Sequence, residues 1–372
     1  NKHKGTALKK RILILSMLIA GTSWVFAAPQ EPVFSVVEKE QTSYLSTLKE
    51  LVSIESGSRD REGLDKISQL IFNRLKALGG QVEFIEPGAD MYRMHDTPDR
   101  PGRMVKAEFK GAGTKKILLI AHMDTVYLKG MLAKQPFRID GDRAYGLGIS
   151  DDKQGIALIL HTLDVLKKTK FNEYGKITVL INGDEEISSP AARALFSKLG
   201  AENDVTFSCE ASQAKSDRIA LTTAGIAAVN LNITGKASHA GAAPELGRNA
   251  LDELTFQIQQ MRDLSDPKEG IKMNWTLATA GTNRNVIPAT AFATADVRVM
   301  KKEDFDVVEK KVQERSKTQQ IPDTKVAVSF ERRRPPLLAI HEQARVKAFE
   351  YGIVRHLEQG GGPVRRTCLE VH

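Results

Sequence analysis

A histidine and an aspartate lie two residues apart at the end of an apolar segment. His122 and Asp124 follow residues 117–121, a run of Ile, Leu and Ala that is typical of a buried strand. A neutral imidazole is a common zinc ligand, and a nearby carboxylate can hold its ring and fix its tautomer. By itself the pair is equally compatible with a loop histidine that makes a local hydrogen bond.

Three further acidic groups accompany apolar segments. Asp151 precedes a helical pattern, the triplet Asp184-Glu185-Glu186 follows a strand-like run, and Glu210 follows another. Because ligands of open α/β sheets bind beyond the carboxyl ends of the strands, we expect four strand ends to bring these groups to one place. Adjacent carboxylates repel one another, and a pair of divalent cations is the simplest agent that would hold them together. A solvated acidic turn is the alternative interpretation of the triplet.

Five short segments carry these residues and a further histidine, His239. In order, they are HMDTV, SDDKQG, GDEEISS, SCEAS and TGKASHAGAAPELGRNA. Together they resemble the M20 family of metallopeptidases, and most closely its glutamate carboxypeptidase (carboxypeptidase G2-like) branch. The resemblance covers roughly residues 35–350. Each motif is weak by itself, but the five in family order are specific.

The resemblance implies two zinc ions in each active site. It implies that His122 and Glu210 bind the first zinc, that Glu186 binds the second, and that Asp151 bridges both. It also implies a cis peptide bond between Asp151 and Asp152.

The resemblance implies three catalytic residues besides the ligands. Asp124 is expected to orient the histidine ligand, and Glu185 to act as the general base. His239 is expected to stabilise the tetrahedral oxyanion, across the subunit interface in family dimers. The residues alone do not distinguish which of the paired glutamates is the base and which is the ligand.

Arginines and an asparagine downstream suggest a carboxylate-bearing substrate, because arginine can bind a carboxylate through two hydrogen bonds. Arg298 and Arg334 match family arginines that are expected to bind the substrate carboxylate. Asn285 matches a residue that contacts the substrate or the oxyanion. An outward-facing salt bridge is the alternative interpretation of Arg298, and Arg332 and Arg333 are expected to be solvated surface charges.

The end of the sequence departs from the family pattern. Residues 363–372, after Gly360-Gly361-Gly362, do not match the helix, strand and further histidine ligand that family members carry there. We therefore expect a frameshift or truncation near Gly362, and a second zinc site that lacks one histidine. This tail also favours an interpretation of another class, an inactive fragment that folds only partly or dimerises.

The other end has the pattern of a secretory signal peptide. Basic residues at 9–11 precede an apolar stretch over 12–20, and small residues at 27–28 resemble a cleavage site. Residues 1–28 carry five basic residues and no acidic one, so the net charge of +8 falls to +3 without them. The basic balance is therefore no evidence for nucleic-acid binding. We expect a periplasmic or secreted protein with no stable membrane anchor.

The elements that must position these residues form two patterns. Alternating strands and helices predict an α/β catalytic domain with a central sheet, and a βαββαβ order after residue 222 predicts an inserted ferredoxin-like lid and dimerisation domain. The expected boundaries are 1–28 for the signal peptide, 29–222 and 334–372 for the catalytic domain, and 223–333 for the lid.

The function expected from these features is that of an exported, zinc-dependent exopeptidase. It would hydrolyse the amide bond next to a C-terminal acidic residue in a small peptide or folyl-glutamate-like substrate, as a homodimer formed through the lid. An aminoacylase or dipeptidase of the same family is the alternative.

Overall fold

The computed structural model describes residues 33–211 and 222–337. The expected signal peptide and the tail after Gly362 lie outside these residues, as does most of the catalytic-domain segment expected at 334–372. We refer to residues 33–211 as the first unit and to residues 222–337 as the second unit.

The first unit is built on a mixed five-stranded sheet. The strands, in the spatial order β1-β2-β6-β3-β7, are β1 (Gln81–Ile85), β2 (Gly102–Lys110), β6 (Lys176–Gly183), β3 (Lys116–His122) and β7 (Val205–Ser208). β6, β3 and β7 are parallel neighbours, whereas β1, β2 and β6 pair antiparallel. Three parallel strands therefore end at the same edge of the sheet.

Helices cover both faces of this sheet. They are α1 (Val33–Lys39), α2 (Gln41–Val52), α3 (Arg61–Ala77), α4 (Gln154–Lys168) and α5 (Arg193–Glu202). In α3, Ile67, Ile71 and Leu75 recur every four residues, and all three are fully buried against the sheet. Full burial of such a side chain contributes about 1.5–3 kcal/mol, so this stripe fixes the helix on the sheet. Asp60 caps the helix by accepting a hydrogen bond from the Gly63 amide.

A small hairpin precedes the turn that carries Asp151 and leads into α4. It consists of β4 (Arg138–Asp140) and β5 (Arg143–Tyr145), and an irregular turn over Ile149–Lys153 leads from it into α4. The prediction of four strand ends was therefore wrong for Asp151, which lies before a helix.

The second unit has the expected βαββαβ order. Its elements are β8 (Gly225–Thr234), α6 (Ala250–Gln260), β9 (Lys272–Ala280), β10 (Thr290–Val299), α7 (Asp304–Arg315) and β11 (Lys325–Arg334). The strands form one antiparallel sheet in the order β11-β8-β10-β9, and its buried face packs on α6 and α7. The predicted combination of an α/β unit and a ferredoxin-like unit is confirmed.

Within residues 33–211 and 222–337, no helix is both long and apolar enough to cross a bilayer.

Candidate active site

Three loops meet where the parallel strands end. His122 is the last residue of β3, residues 184–186 follow β6 and form a short 3-10 turn, and Glu210 follows β7. Because β6, β3 and β7 are adjacent, these residues lie side by side. The Asp151 turn reaches the same edge from the start of α4.

His122 lies at the centre of this edge and is almost completely buried. Its Nε2 is 2.9 Å from Asp151 Oδ1 and 3.5 Å from Glu210 Oε1. Its Nδ1 is 3.0 Å from the carbonyl oxygen of Asp124. A proton on Nδ1 would be donated to that carbonyl, which leaves the Nε2 lone pair directed at the two carboxylates.

The donor set of this cluster fits a divalent metal ion. One ligand atom each from His122, Asp151 and Glu210 lies within 4.8 Å of the others. An imidazole nitrogen with two carboxylate oxygens is a three-residue set of the kind that catalytic zinc sites use. The expected association of these three residues is thus present in the structure.

Two other groups of acidic residues and histidine have similar spacing, but a basic side chain pairs with each. Lys168 contacts both Glu40 and Asp164 in the group that includes His161. Arg333 contacts both carboxylates of the group formed by His95, Asp96 and Glu331. Because these cations already neutralise the carboxylates, neither group fits a metal ion as well as the His122 cluster does.

His122, Asp151 and Glu210 lie at one edge of the sheet, which we call the metal-binding edge. Asp124 connects this edge to Glu185 and Glu186. Its Oδ1 accepts a hydrogen bond from the amide of Glu185 at 3.0 Å, and its Oδ2 accepts one from the amide of Glu186 at 3.1 Å. The Ser58 hydroxyl donates a third at 2.8 Å. Asp124 is fully buried, so this carboxylate fixes the position of the glutamate turn relative to His122.

The Asp151 turn is also tied to the histidine. The peptide bond between Asp151 and Asp152 is cis, as expected. The buried carboxylate of Asp152 accepts a hydrogen bond from the His122 amide at 3.2 Å. The next residue, Lys153, is buried too, and its ammonium donates to the carbonyl of Ile54 at 2.7 Å.

The two expected substrate arginines lie in one row of the second unit. Arg298 on β10 and Arg334 on β11 both pair with Ile226 on β8, which lies between them. Residues directly opposite one another in antiparallel strands share a face, so both arginines belong to the same end and face of the sheet. Arg298 is half-buried and its Nε donates to Asp296 at 2.8 Å, so the expected alternative, a salt bridge, is present.

His239 and Asn285 lie together at the other end of the same sheet. The amide of Ala240 donates to the carbonyl of Asn285 at 2.9 Å, and a β-bridge joins His239 to Val286. The His239 Nδ1 accepts hydrogen bonds from the amides of Gly241 and Ala242 at 3.1 and 3.0 Å. A neutral His239 therefore carries its proton on Nε2, which is an available donor.

The distance between these two ends is large. Strands rise about 3.3 Å per residue, so the part of β8 from Ile226 to Thr234 spans roughly 26 Å. Among the described residues, no hydrogen bond or ion pair links His239 or Asn285 to the His122 cluster. Within one chain, His239 and Asn285 therefore lie nearly the length of a strand away from Arg298 and Arg334.

Comparison with known proteins gives the family. A model of the peptidase dimerisation domain of M20 enzymes matches residues 221–324, and a model of peptidase family M28 matches residues 105–241. Carboxypeptidase G2 of Pseudomonas sp. (strain RS-16) is 41% identical over 350 residues, which cover 94% of this chain and 81% of that protein. The chain belongs to the M20 metallopeptidase family.

Solved structures have the same fold. An M20 family metallo-carboxypeptidase from Sulfolobus solfataricus superposes with a TM-score of 0.66 at 17% identity, over 88% of this chain and 85% of that one. The di-peptidase Dug1p from Saccharomyces cerevisiae gives 0.68 at 14% identity, over 91% and 86%. These likenesses show the fold. Family membership makes this chain a divalent-metal hydrolase, and the comparisons support a metallo-carboxypeptidase.

The charges around the metal-binding edge of this M20 peptidase favour a bound cation. Burial, reinforced by the charge of Glu210, raises the pKa of Glu185 to about 7, and burial with the charge of Asp151 raises the pKa of Glu186 to about 7. Although burial disfavours a charged imidazole, hydrogen bonds to the surrounding carboxylates raise the pKa of His122. Carboxylates whose pKa values rise through burial and mutual repulsion are stabilised as anions by added positive charge.

One expectation about the surface was wrong. Arg333 is not a solvated charge, because its side chain is only 12% exposed and pairs with Asp96 at 2.7 Å and with Glu331 at 3.3 Å. The error arose because β11 packs against the loop before β2, a contact that local sequence does not reveal. Arg332 pairs at the surface with Asp306 and Glu309.

Sequence reasoning also missed residues that support the site. Ser58 lies far along the chain from Asp124, and no local pattern identifies it. Asp152 and Lys153 lie inside the SDDKQG segment, so their position beside Asp151 was a usable signal. No local sequence pattern singles out Arg193, although its side chain contacts both units.

Proposed function

We propose that this chain is an exported, zinc-dependent carboxypeptidase that hydrolyses the amide bond before a C-terminal glutamate or similar acidic residue. The observation that carries the proposal is the cluster of His122, Asp151 and Glu210 beside the half-buried Glu185-Glu186 turn. It supports the proposal because three possible metal ligands and a candidate base lie at one edge of the sheet.

The residues have separate roles in this proposal. His122 and Glu210 would hold the first zinc, Glu186 would hold the second, and Asp151 would contribute to both. When bound, the metals supply Lewis-acid activation of water and of the substrate carbonyl. Asp124 holds the tautomer of His122 through its own backbone carbonyl, and positions Glu185 and Glu186 through their amides.

Glu185 moves the proton. It accepts a proton from the attacking water as the water oxygen bonds to the amide carbon, and returns it to the amide nitrogen as the carbon–nitrogen bond breaks. The second water proton also passes to the nitrogen, so the products are a carboxylate on the acyl side and the released amino acid with its amine protonated. Burial of Glu185 keeps bulk water from competing for this proton.

Arg298 and Arg334 recognise the substrate carboxylate. Their common row at one end of the sheet puts the two arginines on the same face, one on either side of β8, which suits a doubly acidic residue such as glutamate. Arg332 and Arg333, the two residues before Arg334, accept hydrogen bonds from Arg193 of the first unit through their carbonyl groups, so this end of the sheet faces the metal-binding unit.

A homodimer completes the site in this proposal. His239 and Asn285 lie at the end of the sheet that is remote from Arg334, and the matched family model is that of a dimerisation domain. They therefore act in the active site of a second copy, where Nε2 of His239 donates to the oxyanion. Mixing the inactive variants Glu185→Gln and His239→Ala should restore activity, because some mixed dimers carry one intact site. No recovery would contradict the shared site.

Export rests on the sequence of residues 1–28. N-terminal sequencing of the protein from a bacterial host should begin at Ala28 or Pro29, in the periplasm or medium. An unprocessed protein that stays in the cytoplasm would contradict export.

A substrate panel tests the activity. The panel comprises a folyl-glutamate, an acyl-amino acid with an apolar residue, and a free dipeptide. The proposal predicts a kcat/KM at least about tenfold higher for the folyl-glutamate, since one lost charge-assisted contact is worth about that factor. Preference for the dipeptide or the apolar acyl-amino acid would instead support a dipeptidase or an aminoacylase.

A further inference from the structure

Arg193, at the start of α5, contacts both units through backbone carbonyl groups. We infer that Arg193 is a positioning residue that fixes the distance between the glutamate turn and the substrate arginines. This inference rests on the proposed function, because it concerns the reach between the proton-transfer and carboxylate-binding groups. It assigns to Arg193 no contact with the substrate.

The first contact of Arg193 is with the glutamate turn. Its Nη2 donates to the carbonyl of Ser188 at 3.1 Å, and Ser188 directly follows the turn that carries Glu185 and Glu186. Ser188 and Ser189 both have positive φ, at 71° and 49°. Such backbone is unfavourable for residues other than glycine and persists only where surrounding contacts hold it. Arg193 supplies one of these contacts.

The second contact is with the end of β11. The guanidinium donates from Nη1 to the carbonyl of Arg332 at 3.3 Å and from Nη2 to the carbonyl of Arg333. These two residues immediately precede Arg334. A single planar group therefore joins the turn of the proposed base to the strand that carries a substrate arginine.

The geometry of a guanidinium suits this task. Its nitrogens lie in one rigid plane, so they fix the relative orientation of the carbonyl groups that they bind. The side chain is half-buried and stacks on Tyr92, with 4.2 Å between the guanidinium carbon and the ring centroid. Stacking limits its rotamers, and the contact is thus preorganised before substrate binds.

Ion pairs beside Arg193 hold the same contact between the units. Arg333 pairs with Asp96 of the first unit, and Glu331 accepts a hydrogen bond from the His95 amide at 2.9 Å. These contacts keep β11 in place when Arg193 is changed. Loss of Arg193 should therefore shift the end of β11 without releasing the whole unit.

Arg193→Met tests the inference, with Arg193→Lys as the conservative variant and Arg143→Met, an exposed arginine of the β4–β5 hairpin, as the control. For a glutamate-terminated substrate, KM should rise about tenfold in Arg193→Met, while kcat changes by less than about threefold. The lysine variant should recover part of the loss, and the control should match the wild type. An equal fall of kcat for every substrate with unchanged KM would overturn the inference.

A double-mutant cycle identifies the route of the effect. If Arg193 acts through Arg334, Arg193→Met should change KM by less than about twofold when Arg334 is already methionine. A full tenfold effect in that background would overturn the inference.

Hydrogen exchange gives a readout that is independent of catalysis. Arg193→Met should increase exchange several-fold in residues 185–189 and 331–334 together, and leave α3 unchanged. Unchanged exchange in either segment overturns the positioning role even in an inactive chain. If exchange responds as expected but the wild type does not prefer acidic substrates, the proposed function fails and the positioning role stands.

Discussion

The metal-binding edge of the first unit and the arginine end of the second unit are built differently. At the metal-binding edge, His122 and Asp124 are buried, and each polar atom is tied to backbone groups or carboxylates. At the arginine end, Arg298 is half-buried and Arg334 is exposed. The groups proposed to do chemistry are fixed before substrate arrives, whereas the groups proposed to recognise it depend on the position of one unit against the other.

This difference has a physical cause. Buried charges are stable only when hydrogen bonds and counter-charges satisfy them, so a metal-binding edge must be rigid. A carboxylate-binding arginine gains from partial exposure, because a substrate must reach it from solvent. Changes at the metal-binding edge should therefore lower kcat or metal affinity, and changes at the arginine end should raise KM.

The largest effect is expected at the proposed base. Glu185→Gln retains the size of the side chain and removes the proton acceptor, so kcat should fall about a hundredfold to ten-thousandfold at unchanged metal content. Steady-state hydrolysis with metal analysis measures this, with the exposed Glu202→Gln on α5 as the control. Near-normal turnover in Glu185→Gln would reject the assignment.

The next largest effect is expected at Asp124, which orients His122 and the turn of Glu185 and Glu186. In Asp124→Asn one carboxylate oxygen becomes an amide donor, so the amides of Glu185 and Glu186 can no longer both be satisfied. Metal affinity or turnover should fall about ten- to a hundredfold, measured by titration with a competing chelator. Ser58→Ala removes only one of the three donors to Asp124 and should have a smaller effect. Equal losses in Asp124→Asn and Ser58→Ala would contradict the larger role given to Asp124.

At the arginine end, the change should appear in substrate binding. Arg334→Met should raise KM for a glutamate-terminated substrate about tenfold and change kcat by less than about threefold, because a charge-assisted contact is lost. Arg332→Met is the matched control on the same strand, since its side chain pairs with Asp306 and Glu309. Similar KM values for both variants would show that Arg334 does not bind the substrate.

The smallest effect is on stability, in a buried network that takes no part in the proposed chemistry. Despite burial, hydrogen bonds to Lys168, Ser43 and His161 lower the pKa of Glu40 to about 2. A carboxyl whose pKa is lower in the folded state stabilises the fold above its unfolded pKa and loses this as the pH falls. The contribution of roughly 2–3 kcal/mol should be complete above about pH 4.5 and vanish toward pH 2.

Glu40→Gln tests this contribution by urea unfolding at several pH values. The variant should be less stable than the wild type at pH 7, and the difference should shrink between pH 4.5 and 2. Its kcat should be unchanged at pH 7. A stability difference that is independent of pH would show that the charge of Glu40 does not matter.

The sequence predicted the elements better than the contacts between them. The βαββαβ order was predicted because alternation and helical spacing are local signals. The association of His122, Asp151 and Glu210 followed from family motifs. The hairpin before Asp151 was missed because its strands have three residues each, too few to show a period.

The contacts that position the site could not be predicted in this way. Ser58 reaches Asp124 across 66 positions of sequence, and Arg193 reaches Arg333 across 140. Such contacts depend on how separate elements pack in three dimensions. Arg333 illustrates the difficulty, because the same run of arginines holds one surface charge and one half-buried ion pair.

Anomalous diffraction at the zinc absorption edge, from crystals of this chain grown with zinc, shows where the metal binds. We expect strong anomalous density between His122, Asp151 and Glu210, and none beside His95 or His161, where Arg333 and Lys168 neutralise the carboxylates. Zinc bound beside His95 or His161, with no density at His122, would contradict the metal-binding edge and the function derived from it.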